Sequence, residues 1–554
     1  MEAPEQINLA EMPLKGEKTI AFLRRNSYTT LYRRFFAAFG GGRVLKARIY
    51  KFFNKIINRV TITILLCVIQ LIWLASLFFR LTSYAVWIDL ALTVLSFVIA
   101  LRLLRKDENP AYTIAWIAVI GLFPLLGGML YLFLGDKRPS YKLRTRIEQT
   151  ERRHRAELMQ QKGPVEKLSA RMGGLSRYIA AYGPYPAWEH SRATYFASGE
   201  EAFPRLLADL ESAQHFIFLE YFIIKPGAMW DAIVDILKRK AAAGVEVRLI
   251  YDDVGCIGLP GDFIVQMERS HIHCIPFNPV VPLLSAVMNH RDHRKILVVD
   301  GNVAYNGGIN LADEYINREQ RFGYWKDTAL RIEGEAVWNC TVMFLNFWNA
   351  FRPSEESYDA FRPGQFGAKP TPSDGVIQPY ADTPLDEERL AENVYLDILE
   401  QARDYVYIFT PYLAIGHEML TALQLAAKRG VDVRIVTPGI PDKKLVYRLT
   451  RSYYAPLLKA GVRVYEYTPG FLHAKSYVSD DRIATVGSIN MDYRSLYLHF
   501  ECGTLLMHNS QIAAIKKDAL ATIRQSREVT LKDCRHSLPG DLLDDVLRLI
   551  SPLL

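Results

Sequence analysis

Two histidines, each followed two positions later by a lysine, stand in runs of the same design: HRKILVVDGNVAYNGGIN at 293–310 and HAKSYVSDDRIATVGSIN at 473–490. His293, Lys295, Asp300, Gly307 and Asn310 each precede His473, Lys475, Asp480, Gly487 and Asn490 by 180 positions. The strand-like residues after each histidine put the imidazole and its lysine on one face, because side chains alternate along a β-strand. An imidazole attacks an electrophile or moves a proton near neutral pH, and a lysine beside it holds an anionic oxygen. Together they suit a phosphate ester.

The remaining motif positions divide by role. Asp300 and Asp480 are counted with His293, Lys295, His473 and Lys475 in the candidate catalytic set. They fall on the opposite face of a continued strand, however, which gives them a structural or turn role. Asn310 and Asn490 are candidate substrate-binding residues, since a side-chain amide donates to phosphate oxygens. The glycines before them permit close backbone approach. A nucleophilic histidine needs its other ring nitrogen held by an acceptor. Asp327 in YWKDTALRI and Glu501 in HFECGTLL occupy comparable places after the two motifs and are the expected orienting carboxylates.

Other residues carry weaker signals. His271 and His273 share a strand face and His290 lies close by, but no acidic partner is spaced to complete a metal site with them. Arg494 is expected to pair with Asp492 or to meet a phosphate. The six cysteines are scattered without metal-ligand spacing, which argues against a disulfide framework and a zinc site. No metal or other cofactor is expected.

The elements that must position these groups also repeat. HFIFLEYFII reads as a buried strand, followed by a helical run to AAAGVEVRLIYDD; DYVYIFTPYL is followed in the same way by AAKRGVDVRIVTP. Gly244 and Gly430 fall at helix ends. Alternating strands and helices make the chain α/β, and the long period means two similar domains rather than an array. The expected lobes are 195–360 and 377–554, the latter ending in a helix, with a Gly- and Pro-rich linker at 361–376. The apolar spacing of LLDDVLRLISPLL has packing on the second lobe as its default.

At 554 residues there is room for these lobes and a membrane portion. Residues 60–79 form an uncharged run long enough to span a bilayer. A second run, 84–104, carries Asp89 near one end and Arg102 at the other, and a third, within 111–135, is interrupted by Pro124, Gly127 and Gly128. The membrane region is therefore 60–135, with two spans and either a third span or a re-entrant hairpin. A basic arm, 1–59, is placed in the cytoplasm by the positive-inside rule, and a basic connector covers 136–194. The formal charge of +8 reads as a topology signal or as attraction to anionic headgroups, and nucleic acid is not an expected partner.

The paired H-x-K-x4-D-x6-G-x2-N runs resemble the signature of the phospholipase D superfamily. With FGYWKDTALRIEGEAVW, AWIAVIGLFPLLGGMLYLFLG and the ending RLISPLL, the chain resembles the bacterial cardiolipin synthases from about Tyr84 to Leu554. The resemblance implies two phospholipase D-like lobes related by a pseudo-two-fold, each a mixed β-sheet flanked by helices, behind a transmembrane helical region. It implies one metal-free site between them in a multi-pass protein of the bacterial plasma membrane, with phosphatidylglycerol and membrane lipids as partners. His293 would attack phosphorus and His473 would serve as acid and base, an order that is open to reversal. Lys295, Lys475, Asn310 and Asn490 would hold the non-bridging oxygens. The implied reaction condenses two phosphatidylglycerols to cardiolipin and glycerol; with water as acceptor, the same site would be a phospholipase D-type phosphodiesterase. Gly308 stands where the second motif has Ser488, which is expected to remove one hydroxyl near the phosphate.

Overall fold

The computed structural model describes residues 85–106, 109–135, 141–159, 163–279, 289–366, 371–535 and 537–553, together with Val68 and Ile72. The chain forms two compact units, of which residues 1–68 with 282–284 make the smaller and the remainder the larger. The basic arm and nearly all of the first apolar run lie outside the described residues. All that follows concerns the larger unit.

Its first lobe is built on seven strands: β1 (Ser191–Phe196), β2 (Phe216–Tyr221), β3 (Glu246–Asp252), β4 (Ile272–Phe277), β5 (Lys295–Val299), β6 (Val303–Gly307) and β8 (Ala329–Gly334). They lie in the order β1-β8-β6-β5-β2-β3-β4, with β7 (Tyr324–Lys326) outside the sheet. Only β2-β3-β4 run parallel. The second lobe repeats the order with β9 (Val376–Asp382), β10 (Tyr405–Phe409), β12 (Asp432–Pro438), β13 (Arg463–Tyr467), β15 (Ser476–Ser479), β16 (Ile483–Gly487) and β18 (Glu501–Met507). Its sheet reads β19-β13-β12-β10-β15-β16-β18-β9, where β19 (Ser526–Glu528) is an added edge. The short β11 (Leu413–Ala414), β14 (Gly470–Leu472) and β17 (Met491–Asp492) lie outside it. Matching order and direction establish the expected α/β pair of mixed sheets.

Both faces of the central strands are covered, so β2, β5, β10 and β16 are buried along their whole length. This is why they read as nearly continuous apolar runs rather than as alternating ones. One hydrophobic cluster runs through both lobes, from Phe218 and Phe344 to Val406 and Leu505. Helix Val337–Phe351, buried on all sides except at its last residue, packs against β2, β5 and β9. The lobes therefore share a core.

Ahead of the lobes stand helices Ala85–Leu104, Pro110–Leu122 and Pro124–Leu134. Among the described residues no helix is long and apolar enough to cross a membrane. In Ala85–Leu104 the uncharged stretch between Asp89 and Arg102 covers residues 90–101, roughly 18 Å at about 1.5 Å per residue. The third apolar run is broken at Phe123, where Pro124 starts a new helix. The two helices fold back on each other at Gly127, where an added Cβ would meet the Val119 carbonyl oxygen at 2.5 Å. Asn109 caps the earlier helix and donates from Nδ2 to the Tyr497 hydroxyl at 2.9 Å, tying this segment to the second lobe.

Candidate active site

Each motif histidine lies just before a central strand, in a segment held by the other lobe. The His293 amide donates to the Phe500 carbonyl at 2.9 Å, and the Phe500 amide donates to Arg291. In the second motif, β14 pairs in parallel with β7, and the His473 amide donates to the Lys326 carbonyl at 2.7 Å. These reciprocal clasps place each histidine beside the carboxylate that follows the other motif. Nδ1 of His293 lies 2.9 Å from Oε1 and 3.1 Å from Oε2 of Glu501. Nδ1 of His473 lies 2.7 Å from Oδ2 of Asp327. In both rings Nε2 is left for chemistry.

The two carboxylates are supported differently. Glu501 accepts hydrogen bonds from Ser488 Oγ at 2.5 Å and Ser495 Oγ at 2.7 Å. Asp327 accepts from the Thr328 amide at 2.8 Å. An ideal Cβ on Gly308 would lie 2.1 Å from Asp327 Oδ1, so the glycine leaves the space that this carboxylate occupies. The expectation that Gly308 removes a hydroxyl near the phosphate is therefore corrected: Ser488 bonds Glu501, and Gly308 makes room for Asp327.

Lys295 and Lys475 are buried, and each donates from Nζ to the carbonyl of its own motif histidine. Burial lowers Lys295 to about 8 and Lys475 to about 7, with Glu501 and Asp327 respectively opposing the shift. Burial, followed by the charge of Lys295, holds His293 well below the usual imidazole range, and Lys475, His473 and Lys443 act in the same direction. Burial and Lys475 lower His473 to about 4, against the pull of Asp327. Both imidazoles are thus harder to protonate than a free one, and Lys295 and Lys475 offer the cations that an anionic phosphodiester complements.

Asp300 and Asp480 do not join this group, and their place in the catalytic set is corrected. Asp300 accepts from the amides of Gln214, His215 and Phe216, each at 2.8 Å, which pins the start of β2 to the turn after β5. Asp480 accepts from Arg403, Asp404 and Tyr405 at 2.8, 3.0 and 2.9 Å, pinning β10 in the same way. Both stand at positive φ, +50° and +52°, in tight turns where aspartate is among the better-tolerated residues. The asparagines also differ. Asn310 accepts from the Ile223 amide at 3.0 Å and donates to the Tyr315 hydroxyl at 2.7 Å, so it is largely committed to the fold. Asn490 has a buried Oδ1 without a hydrogen-bond partner.

The expected bland roles elsewhere are clear. His290 places Nδ1 3.0 Å from the Leu498 carbonyl, and His273 sits 3.1 Å from Glu268 on the surface. Asp492 caps a short helix through the Ser495 amide at 3.0 Å. Residues that sequence reasoning missed include Ser495 on Glu501, and the rings of Phe222 and Tyr315, 5.0 and 5.5 Å from those of His293 and His473. His499 was also missed: its ring centre is 5.6 Å from that of His293, and its Nδ1 is 3.8 Å from Glu501 Oε1. Burial lowers it to about 4. Its one sequence signal was its place two residues before Glu501. Among the described residues, His293, His499 and Glu501 are the set whose ligand atoms, all within 4.8 Å of one another, could share a metal ion.

Comparison with known proteins agrees with this geometry. Residues 206–327 and 395–521 match the family model described as cardiolipin synthase, PLD-like domain, and residues 91–135 match that of the phospholipase D-nuclease N-terminal region. A cardiolipin synthase of Geobacillus kaustophilus is 35% identical over 466 residues, 82% of this chain and 91% of that protein. An uncharacterized protein of Streptococcus mutans is 43% identical over 459 residues, 82% of this chain and 99% of its own. The solved phosphatidylserine synthase of Haemophilus influenzae shares the fold, with a TM-score of 0.52 at 13% identity, over 69% of this chain and all of that one. The chain is an enzyme of the phospholipase D superfamily and belongs to the family of the bacterial cardiolipin synthases.

Proposed function

We propose that the protein is a membrane-bound phosphatidyltransferase that condenses two phosphatidylglycerols to cardiolipin and glycerol. The carrying observation is the reciprocal pair of histidine–carboxylate contacts between lobes, with two buried lysines in the same pocket. Nε2 of His293 attacks phosphorus and the bond to glycerol oxygen breaks as His473 supplies a proton to it. The hydroxyl of a second phosphatidylglycerol then gives its proton to His473 and attacks phosphorus, breaking the P–N bond and freeing His293. Each acceptor on Nδ1 steadies the cation that forms on its ring.

The division of roles rests on charge. Glu501 shares its charge with two serine hydroxyls, whereas Asp327, among the described residues, accepts from one amide besides His473. His473 is thus the better-supported cation once the phosphate's negative charge arrives, and His293 the neutral nucleophile. Lys295 and Lys475 hold the non-bridging oxygens as charge shifts in the transition state, and Asn490 donates beside them. The apolar runs of 60–135 bring the site to its lipid substrates, in two spans with the broken third run folded as a re-entrant hairpin. This is a multi-pass arrangement in the bacterial plasma membrane.

The test is to incubate detergent-solubilised protein with labelled phosphatidylglycerol beside His293→Ala and His473→Ala, following cardiolipin, glycerol and phosphatidic acid. Cardiolipin and glycerol, lost in both variants, support transfer, and trapped phosphohistidine in His473→Ala alone supports the order. Phosphatidic acid as sole product means that water is the acceptor. No histidine-dependent product overturns the reading.

A further inference from the structure

Lys295 and Lys475 serve the phosphate under attack, and both are interior groups, 2% and 1% exposed. The reaction proposed above involves a second phosphate. The attacking hydroxyl of the acceptor is joined by a three-carbon glycerol to a phosphodiester of its own, which comes to rest close beside the first and nearer the outside. A second anion in the approach calls for a second cation, and a lysine ammonium suits a phosphate as a point charge.

The loop after β12 supplies one. The Gly439 amide donates to the Tyr467 carbonyl at 2.9 Å, and the Ile440 amide donates to the Gly470 carbonyl at 3.2 Å. Gly470 opens β14, which leads directly into His473. The loop is thus bonded to the strand that carries this histidine. Lys443, three residues on, has a side chain 65% exposed. Its Nζ lies 5.3 Å from the centre of the Tyr412 ring, that ring is 6.4 Å from Phe471, and Phe471 is 5.9 Å from the ring of His473. The charge of Lys443 is felt at His293 as well, where it acts with the two motif lysines.

The neighbouring groups leave this ammonium available. The adjacent carboxylate, Asp442, accepts the Tyr412 hydroxyl at 2.6 Å. Lys443 Nζ stands 3.9 Å from Asp442 Oδ2, beyond hydrogen-bond reach. It rests on the Tyr412 ring instead, and a cation on an aromatic face keeps its N–H donors for a ligand.

We propose that Lys443 holds the phosphodiester of the incoming phosphatidylglycerol, and so selects an anionic alcohol over neutral ones and water as the acceptor. This deepens the phosphatidyltransferase reading and rests on it.

The test lets two acceptors compete for one intermediate. Phosphatidylglycerol is supplied with deuterated glycerol, so that transfer to the lipid yields cardiolipin and transfer to the neutral alcohol yields deuterated phosphatidylglycerol. The ratio of the two products cancels any effect on the first step. In Lys443→Gln the cardiolipin share is expected to fall by at least about tenfold, and in Lys443→Arg to stay within about threefold of the unaltered enzyme. An unchanged ratio in Lys443→Gln, or equal loss in both variants, overturns the proposal. A second measurement needs no turnover: dibutyryl phosphatidylglycerol is titrated calorimetrically into detergent-solubilised His293→Ala. Two sites per chain are expected, one of them weakened at least about tenfold by adding Lys443→Gln. A single site, or two that are indifferent to Lys443, overturns it. If the unaltered enzyme forms neither product, the phosphatidyltransferase reading fails, while the titration still decides whether Lys443 holds a phosphodiester.

Discussion

Oε1 of Glu501 lies 2.9 Å from Nδ1 of His293, although 208 positions and the boundary between lobes separate them. With Asp327 on His473 at 2.7 Å, the two lobes exchange their orienting carboxylates. Neither lobe alone contains a complete histidine pair. Glu501→Gln and Asp327→Asn are expected to lower kcat by roughly a hundred- to ten-thousandfold with little change in KM, because each leaves its ring without an anionic acceptor. A change confined to KM would remove the positioning role from these residues.

Gly308 and Ser488 occupy equivalent motif positions yet answer to different carboxylates. Gly308→Ala puts a carbon where Asp327 Oδ1 sits, and is expected to cut kcat by about a hundredfold or more. Ser488→Ala removes one of two hydroxyls on Glu501 and should cost only about tenfold. Steady-state rates of the two variants check the ranking, and a more active Gly308→Ala would contradict it.

The motif aspartates should behave as structural residues. Asp300→Ala leaves three backbone amides without their acceptor and is expected to destabilise the fold by roughly 2–3 kcal/mol. Denaturant unfolding measures the loss. The surviving folded fraction should keep its turnover number, and a large fall in kcat without destabilisation would return Asp300 to the chemistry.

Lys475, lowered to about 7 by burial, sets a pH limit. It is cationic below that pH and neutral above, and only the cation holds a phosphate oxygen. kcat/KM should therefore fall as pH rises beyond about 7, while the same limb in kcat lies higher because bound phosphate favours the ammonium. Lys475→Arg should move the limb up to about 8, where Lys295 loses its proton, since arginine stays charged, and a profile flat to pH 10 in the unaltered enzyme would sink this account.

His499 is expected to make the site sensitive to transition metals. A zinc ion bridging His293, His499 and Glu501 would take Glu501 away from His293, so added zinc is expected to inhibit. His499→Asn should raise the zinc concentration needed by about tenfold or more. Equal inhibition of both proteins would show that zinc acts elsewhere.

The repeat and the residue types of the site can be read from the chain alone. Histidine and lysine at a spacing of two, twice over and 180 positions apart, are enough for a phosphate-handling pair and two similar α/β lobes. The motif aspartates were legible only in part: strand alternation turns them away from the lysines, yet their place in the motif drew them into the catalytic set. Which groups meet is fixed by the packing of the lobes. Chain order places Glu501 after the motif of His473, and nothing local tells it to serve His293; the contact comes from the clasp of the 291–293 segment against Phe500. In the same way Gly308 reads as a missing hydroxyl until Asp327 fills its space, and Asn310 reads as the equal of Asn490 until Tyr315 engages it. Local spacing dictates which face a side chain takes, whereas the partner across an interface depends on how two separately coded surfaces pack.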